Sequence, residues 1–153
     1  MIVYRISKGK YKEDLSGTGA ELYGGRWNNK GTKMLYTASS IALAMAEVTV
    51  HVDHSILPLD FYVIYIEIPD SPIHRIPLTD LTHFEWNSNP PSFQTQQIGD
   101  NFIAENKYIA LEVPSAIVPG EFNILVNPNH LEKSKIKVID VQEFPFDKRL
   151  FGL

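Results

Sequence analysis

Cysteine is absent from this 153-residue chain, which excludes disulfides, thiolate catalysis and zinc sites built on sulfur. An excess of positive charge is also missing, because 14 basic residues stand against 18 acidic ones and leave a net charge of −4. Proteins that bind nucleic acid through its phosphates need a basic surface, so we expect no direct nucleic-acid binding. A negative net charge still allows a local basic pocket for one small phosphorylated ligand.

Long apolar runs are missing too, since no segment approaches the roughly 20 apolar residues of a membrane-spanning helix. Residues 1–6 form a short apolar run with a charge inside it, and they lack the basic flank and long apolar stretch of a signal peptide. A hydrophobic fraction of 44% with 21% charged residues is typical of a globular protein. We therefore expect one domain over residues 1–153, located in the cytoplasm and not in a membrane.

Strands are predicted more often than helices along the chain. The predicted strands cover 3–6, 34–37, 61–68, 73–76, 108–113, 123–126 and 136–141. Helices are predicted over about 41–52, with Ser39 or Ser40 as N-cap, and over about 92–106, where Gly99 weakens the prediction. Residues 16–31 contain five glycines and are predicted to be irregular. Strands and helices do not alternate strictly, which favours an α+β fold.

The first helix supplies the most informative polar residue. Apolar side chains cover almost its whole circumference, which predicts a buried helix, and Glu47 is its only charged residue. A buried carboxylate must be paired, hydrogen-bonded or neutral, because burying an isolated charge costs several kcal/mol or more. Glu47 is therefore our main candidate for a catalytic residue. The alternative is a buried glutamate that pairs with an arginine for architecture alone.

Three further residues are candidates with ordinary alternatives. Arg26 follows two glycines and precedes a tryptophan, so its guanidinium could hold a diphosphate bidentately, or it could belong to a simple turn. Tyr36 stands just before the helix and could stack a flat ring near Glu47, or it could be a core tyrosine. Ser115 follows a strand end, where its hydroxyl could donate to a ligand or to Glu47, or serve only a turn.

The sequence lacks the motifs of several common nucleotide-binding, metal-binding and catalytic sites. No G-x-G-x-x-G fingerprint follows the first strand, and no P-loop is present, so any nucleotide is bound by another architecture. His51 and His54 have no third ligand at motif spacing, so we expect no metal site. No G-x-S-x-G elbow occurs that would present a serine nucleophile.

Six short segments occur in an order and spacing that resemble one family. They are Tyr4-Arg5, Gly24-Gly-Arg-Trp-Asn28, Leu35-Tyr-Thr-Ala38, Ala44-Met-Ala-Glu47, Val113-Pro-Ser-Ala116 and Asn123-Ile-Leu-Val-Asn-Pro-Asn-His130. The chain resembles RES domains, the toxins of bacterial toxin–antitoxin pairs, from about residue 3 to 145. The arginine, glutamate and serine of the family name fall on Arg26, Glu47 and Ser115.

The resemblance implies a fold similar to ADP-ribosyltransferase toxins, with a split β-sheet core, flanking helices and a cleft for NAD as substrate. It implies an NAD glycohydrolase, with Glu47 as the catalytic acidic residue, Arg26 and Tyr36 in contact with NAD, and Ser115 in support. Arg5 is a further candidate ligand contact. An Xre-type antitoxin that occupies the cleft, and a homodimer, are implied on the same ground.

The chemistry of these residues agrees with the resemblance. Cleavage of an N-glycosidic bond passes through an oxocarbenium-like state that a nearby carboxylate stabilises, and nicotinamide leaves without needing a second acid. Two alternatives stay open: a mono-ADP-ribosyltransferase that modifies a protein, and a non-catalytic module that uses the cleft only to bind a partner.

Overall fold

Seven strands form one mixed sheet flanked by three helices in the computed structural model, which describes residues 1–153. This is the predicted α+β architecture. The strands are β1 (Ile2–Lys8), β2 (Leu35–Ala38), β3 (Phe61–Glu67), β4 (His74–Arg75), β5 (Ala110–Pro114), β6 (Phe122–Val126) and β7 (Lys137–Glu143), and the helices are α1 (Thr18–Tyr23), α2 (Ile41–Thr49) and α3 (Phe93–Glu105). The sheet order is β4-β5-β6-β2-β1-β3-β7. Only β4 and β5 run parallel.

The sheet is nearly divided between β1 and β2. Seven Cα pairs join β1 to β3 and four join β2 to β6, but a single pair, Tyr4 with Ala38, joins β1 to β2. Two well-paired halves, β4-β5-β6-β2 and β1-β3-β7, therefore meet at one point and separate beyond it. The predicted split β-sheet core is confirmed.

Both faces of the sheet carry apolar side chains, because alternate residues of a strand point to opposite faces. In β1, Val3 joins a core cluster with Ile64 and Ile66, whereas Ile6 belongs to a second cluster that includes Leu43 of α2. A third cluster packs α3 against β5 and β6. The helix α2 thus lies across the split, beside β1 and β2, whereas α3 packs on the half that contains β5 and β6.

The structure corrects two predictions about helices. Residues 16–31 are not wholly irregular, because Gly17 in the left-handed conformation begins the short helix α1. The helix α2 is shorter than predicted and only half-buried. It ends at Thr49, where His54 Nε2 lies 2.6 Å from the Thr49 carbonyl oxygen, and Ala42 and Val50 are exposed. An apolar circumference did not lead to full burial because one side of α2 faces away from the sheet.

Strand ends differ from the predictions by at most two residues, and β4 is reduced to two residues. A more informative difference concerns Gly99, which weakened the prediction of α3. The helix runs through it, because Gly99 lies directly against the backbone carbonyl of Trp27. A Cβ atom at this position would overlap that carbonyl. The glycine is therefore a packing requirement and not a helix break.

Substitution of Gly99 by alanine should destabilise the fold despite the higher helix propensity of alanine. We expect a loss of about 1–3 kcal/mol in the free energy of unfolding, because the backbone of Trp27 or of α3 must shift. Urea unfolding measures it. Gly19→Ala in α1 is the matched control, since its Cβ atom would meet nothing within 4 Å. Equal stability of Gly99→Ala and wild type would contradict the close packing of α3.

Candidate active site

A cavity of about 200 Å³ opens where β1 and β2 separate. The sheet places polar side chains around it from four elements. They include Tyr4 and Arg5 from β1, Tyr36 from β2, Glu47 from α2 and Asn123 from β6. The split in the sheet therefore brings together three of the residues that the sequence indicated, Glu47, Tyr36 and Arg5.

The carboxylate of Glu47 is fixed by two neutral donors. Ser115 Oγ donates to Glu47 Oε1 at 2.8 Å, and Asn123 Nδ2 donates to the same oxygen at 2.6 Å. No arginine forms an ion pair with it, so the architectural alternative of a Glu–Arg pair is not what the structure shows. Both hydrogen bonds end on Oε1, which leaves Oε2 free of these two donors.

Ser115 is itself held by the turn that follows β5. Its Oγ accepts the backbone N–H groups of Ile117 and Val118 at 3.1 and 3.0 Å. Its own backbone N–H donates to the Glu121 carbonyl at 2.8 Å. A hydroxyl that accepts two bonds has one proton left, and that proton goes to Glu47. Ser115 therefore acts on the carboxylate and is not free to attack a ligand.

Sequence reasoning missed Asn123 as a site residue, although it stands in one of the quoted segments. The available signal was a carboxamide in an otherwise apolar strand, because β6 reads Phe-Asn-Ile-Leu-Val. Its partner Glu47 is 76 residues away along the chain, so spacing alone gives no indication of the contact.

Tyr36 lines the cavity, and its hydroxyl also anchors the neighbouring glycine-rich segment. Its hydroxyl accepts the backbone N–H of Trp27 at 3.0 Å and donates to Asn28 Oδ1 at 2.6 Å. Burial raises the pKa of the Tyr36 phenol well above its ordinary value, so the proton stays available for that bond. Gly25 is required here, since a Cβ atom would lie 2.7 Å from the Tyr36 hydroxyl.

Arg26 lies beside the site but does not line the cavity. Its Nη1 donates to the carbonyls of Trp86 and Ser88 at 3.1 and 2.8 Å, which ties it to the loop before α3. Burial lowers the pKa of the Arg26 guanidinium, and the nearby charge of Glu47 opposes that shift. The other nitrogens of the guanidinium keep donors that these carbonyls do not use.

Arg5 is half-buried on β1 and lines the cavity directly. Its Nη1 donates to the Asp14 carbonyl at 2.6 Å. Burial lowers the pKa of the Arg5 guanidinium, and the charge of Asp14 opposes the shift. A guanidinium has five N–H donors, so a single bond to a carbonyl leaves most of them available to an anion.

No group of three or more histidine, aspartate or glutamate side chains could hold a metal ion. None of the helices is long and apolar enough to cross a membrane.

The fold and site together define a class of protein: a small α+β domain whose split sheet presents a fixed carboxylate, a phenol and a guanidinium to one cavity. The family model described as RES domain matches residues 2–147, and the chain belongs to that family.

Two relatives and one solved structure illustrate the similarity. A protein of Photorhabdus laumondii subsp. laumondii described as Toxin Res is 42% identical over 152 residues, 98% of this chain and 97% of the relative. A Sphingobium protein described as Prs ADP-ribosylating toxin is 36% identical over 140 residues, 90% and 87% of the two chains. A chain of the M. tuberculosis MbcT–MbcA toxin–antitoxin complex shares the fold, with a TM-score of 0.68 at 17% identity, over 99% of this chain and 86% of that one.

Replacement of Tyr36 by phenylalanine should destabilise the protein while it keeps the aromatic wall of the cavity. The change leaves the Trp27 N–H and the buried Asn28 Oδ1 without a partner, each at a cost of about 1–3 kcal/mol. Thermal unfolding measures the loss. Tyr23→Phe is the control, because the Tyr23 side chain is largely exposed. A variant as stable as wild type would mean that the hydroxyl does not anchor the segment around Trp27.

Proposed function

We propose that this protein is a toxin that degrades NAD by cleaving the bond between nicotinamide and ribose. The single observation that carries the proposal is the carboxylate of Glu47, held by Ser115 and Asn123 at the edge of the cavity in the split sheet. Membership of the RES family supports the assignment to NAD chemistry. The related protein described as Toxin Res supports the role as a toxin.

The size of the cavity fits one end of a dinucleotide. At about 200 Å³ it is smaller than the roughly 300–1,000 Å³ of sites that enclose a whole drug-sized ligand. In our proposal the nicotinamide and its ribose enter the cavity, and the diphosphate stays outside near the arginines. Tyr36 supplies an aromatic surface for the flat ring, and Arg5 and Arg26 supply positive charge for the diphosphate.

The chemistry needs only one bond to break before water adds. The C1′–N bond of the ribose breaks, and its electron pair goes to the ring nitrogen, so the pyridinium leaves as neutral nicotinamide. The positive charge then rests on C1′ and the ring oxygen of the ribose, where the carboxylate of Glu47 stabilises it electrostatically. Water adds to C1′ and releases one proton, which gives ADP-ribose.

A second candidate is transfer of ADP-ribose to a protein. The relative described as Prs ADP-ribosylating toxin is the specific observation that favours it. Both reactions use the same first step and differ only in the nucleophile that adds to C1′. We favour water, because the chain is compact and contains no long insertion that would recognise a protein acceptor. A module that only binds a partner is the third alternative.

The biological setting is part of the proposal. The MbcT–MbcA structure is that of a toxin–antitoxin complex, which supports an antitoxin as the partner of this chain. We propose that this antitoxin is of the Xre type and that its C-terminal region occupies the cleft. Action in the cytoplasm, where it would reach the cell's NAD, is part of the same proposal, and a homodimer stays a prediction.

Replacement of Glu47 by glutamine should abolish most of the NAD cleavage by purified protein. We expect kcat to fall at least 10²- to 10³-fold, because the amide cannot offset the charge on the ribose. The KM for NAD should change little, since Glu47 acts mainly in the transition state. Release of nicotinamide, measured by chromatography, gives the rate.

Glu105→Gln, at the exposed end of α3, is the matched control for the Glu47 variant. Equal rates for wild type and Glu47→Gln would remove Glu47 from the mechanism. Nicotinamide release that begins only when a cell extract is added, with ADP-ribose attached to a protein, would favour the transferase. A folded wild-type protein that leaves NAD intact in both conditions would favour the binding module.

Replacement of Arg5 by glutamine should weaken NAD binding more than it slows turnover. A hydrogen bond to a charged group contributes about 1.5–3 kcal/mol, so we expect the KM to rise roughly ten- to hundredfold. Steady-state kinetics give KM and kcat separately. Arg149→Gln, on an exposed side chain, is the control. An unchanged KM for Arg5→Gln would show that Arg5 does not contact the dinucleotide.

A further inference from the structure

We infer that Asn123 is a positioning residue, which orients the carboxylate of Glu47 so that Oε2 faces the reacting ribose. The inference rests on the proposed NAD cleavage and deepens it. Ser115 supplies one fixed point for the carboxylate, and Asn123 supplies the second.

The backbone of Asn123 is fixed from both sides. In β6 it is paired in register with Ala38 of β2 and with Val113 of β5. Ala38 is also the residue that joins the two halves of the sheet through Tyr4. The amide therefore reaches Glu47 from a residue that is paired on both sides, and it borders the cavity. Its position leaves little freedom for the donor to move with the ligand.

The two donors approach Glu47 from different elements and converge on one oxygen. Ser115 Oγ comes from the turn after β5, at 2.8 Å, and Asn123 Nδ2 comes from β6, at 2.6 Å. Two donors on Oε1 set the plane of the carboxylate, whereas one donor leaves it free to rotate about that contact. With the plane set, Oε2 keeps one direction, and it is the oxygen that can approach C1′ of the ribose. Asn123 is thus needed for geometry and not for charge.

Removal of the side chain by Asn123→Ala should lower kcat for NAD cleavage about ten- to hundredfold, as expected for a misplaced catalytic group. The KM for NAD should stay within about twofold, because Asn123 acts through Glu47 and not through ligand affinity. A substitution that merely damaged the fold would lower the amount of active protein and the unfolding temperature together. Asn129→Ala, at an exposed position three residues after the end of β6, is the control.

Asn123→Asp should change the pH dependence of activity, which a purely structural role of Asn123 would not do. The ionised aspartate cannot donate and adds a second negative charge beside Glu47, so activity should be low at neutral pH. When one proton is shared between the two carboxyl groups, the O–H can donate to its partner again. The activity of this variant relative to wild type should therefore rise as the pH falls. Asn129→Asp adds the same charge at an exposed site and should follow the wild-type profile.

The contact itself is testable without catalysis. In wild type, the Asn123 side-chain amide proton that donates to Glu47 should be shifted downfield in a ¹H–¹⁵N spectrum, and Glu47→Ala should remove that shift. If wild type consumes no NAD, the proposed function fails. The spectrum then still tests whether Asn123 donates a hydrogen bond to Glu47. A spectrum that Glu47→Ala leaves unchanged would overturn the inference. So would Asn123→Ala with wild-type kcat, or Asn123→Asp with a wild-type pH profile.

Discussion

Tyr4 and Ala38 form the only in-register strand pair between the two halves of the sheet. The site depends on the absence of further pairing between β1 and β2. A fully paired β1 and β2 would leave no space between them. Because the strands separate after one pair, the edge of β1 faces the end of β2 across a cavity. The ladders on either side of the split, β1 with β3 and β2 with β6, are continuous, so the opening is held by rigid elements.

Charge and hydrogen bonding are divided between different residues at this opening. Glu47 supplies the negative charge, and two neutral groups, Ser115 and Asn123, fix its position. Neutral donors orient a carboxylate without cancelling its charge as an arginine partner would. Arg5 and Arg26 are instead bonded to backbone carbonyls, which fixes their guanidinium groups but leaves them their charge. The arrangement suits a reaction in which a cation forms at one end of an anionic ligand.

Much of the fold followed from local patterns, and the exceptions have physical causes. Ser40 does cap α2, with its side chain accepting the Leu43 N–H, as the sequence indicated. The helix α1 was not predicted, because glycine has a low helix propensity. The helix α3 was predicted despite Gly99, whose close contact with Trp27 is visible only in three dimensions. The half-burial of α2 likewise depends on how the sheet covers it.

The site was predictable where a residue was unusual in its own segment. Glu47 was the only charge on an apolar helix, and that singled it out. Asn123 was not singled out, because its importance comes from a contact 76 residues away. The dual role of Tyr36 also escaped the sequence, since its hydroxyl partners lie in a glycine-rich segment whose path could not be derived from spacing.

The most direct test of the account is the fate of solvent oxygen. Purified protein is incubated with NAD in ¹⁸O-labelled water, with no other macromolecule present, and the products are analysed by mass spectrometry. The account predicts free nicotinamide and ADP-ribose that carries one ¹⁸O atom at C1′, because water adds to the cation that Glu47 stabilises. Intact NAD, or ADP-ribose recovered only on a protein and without the label, would contradict it.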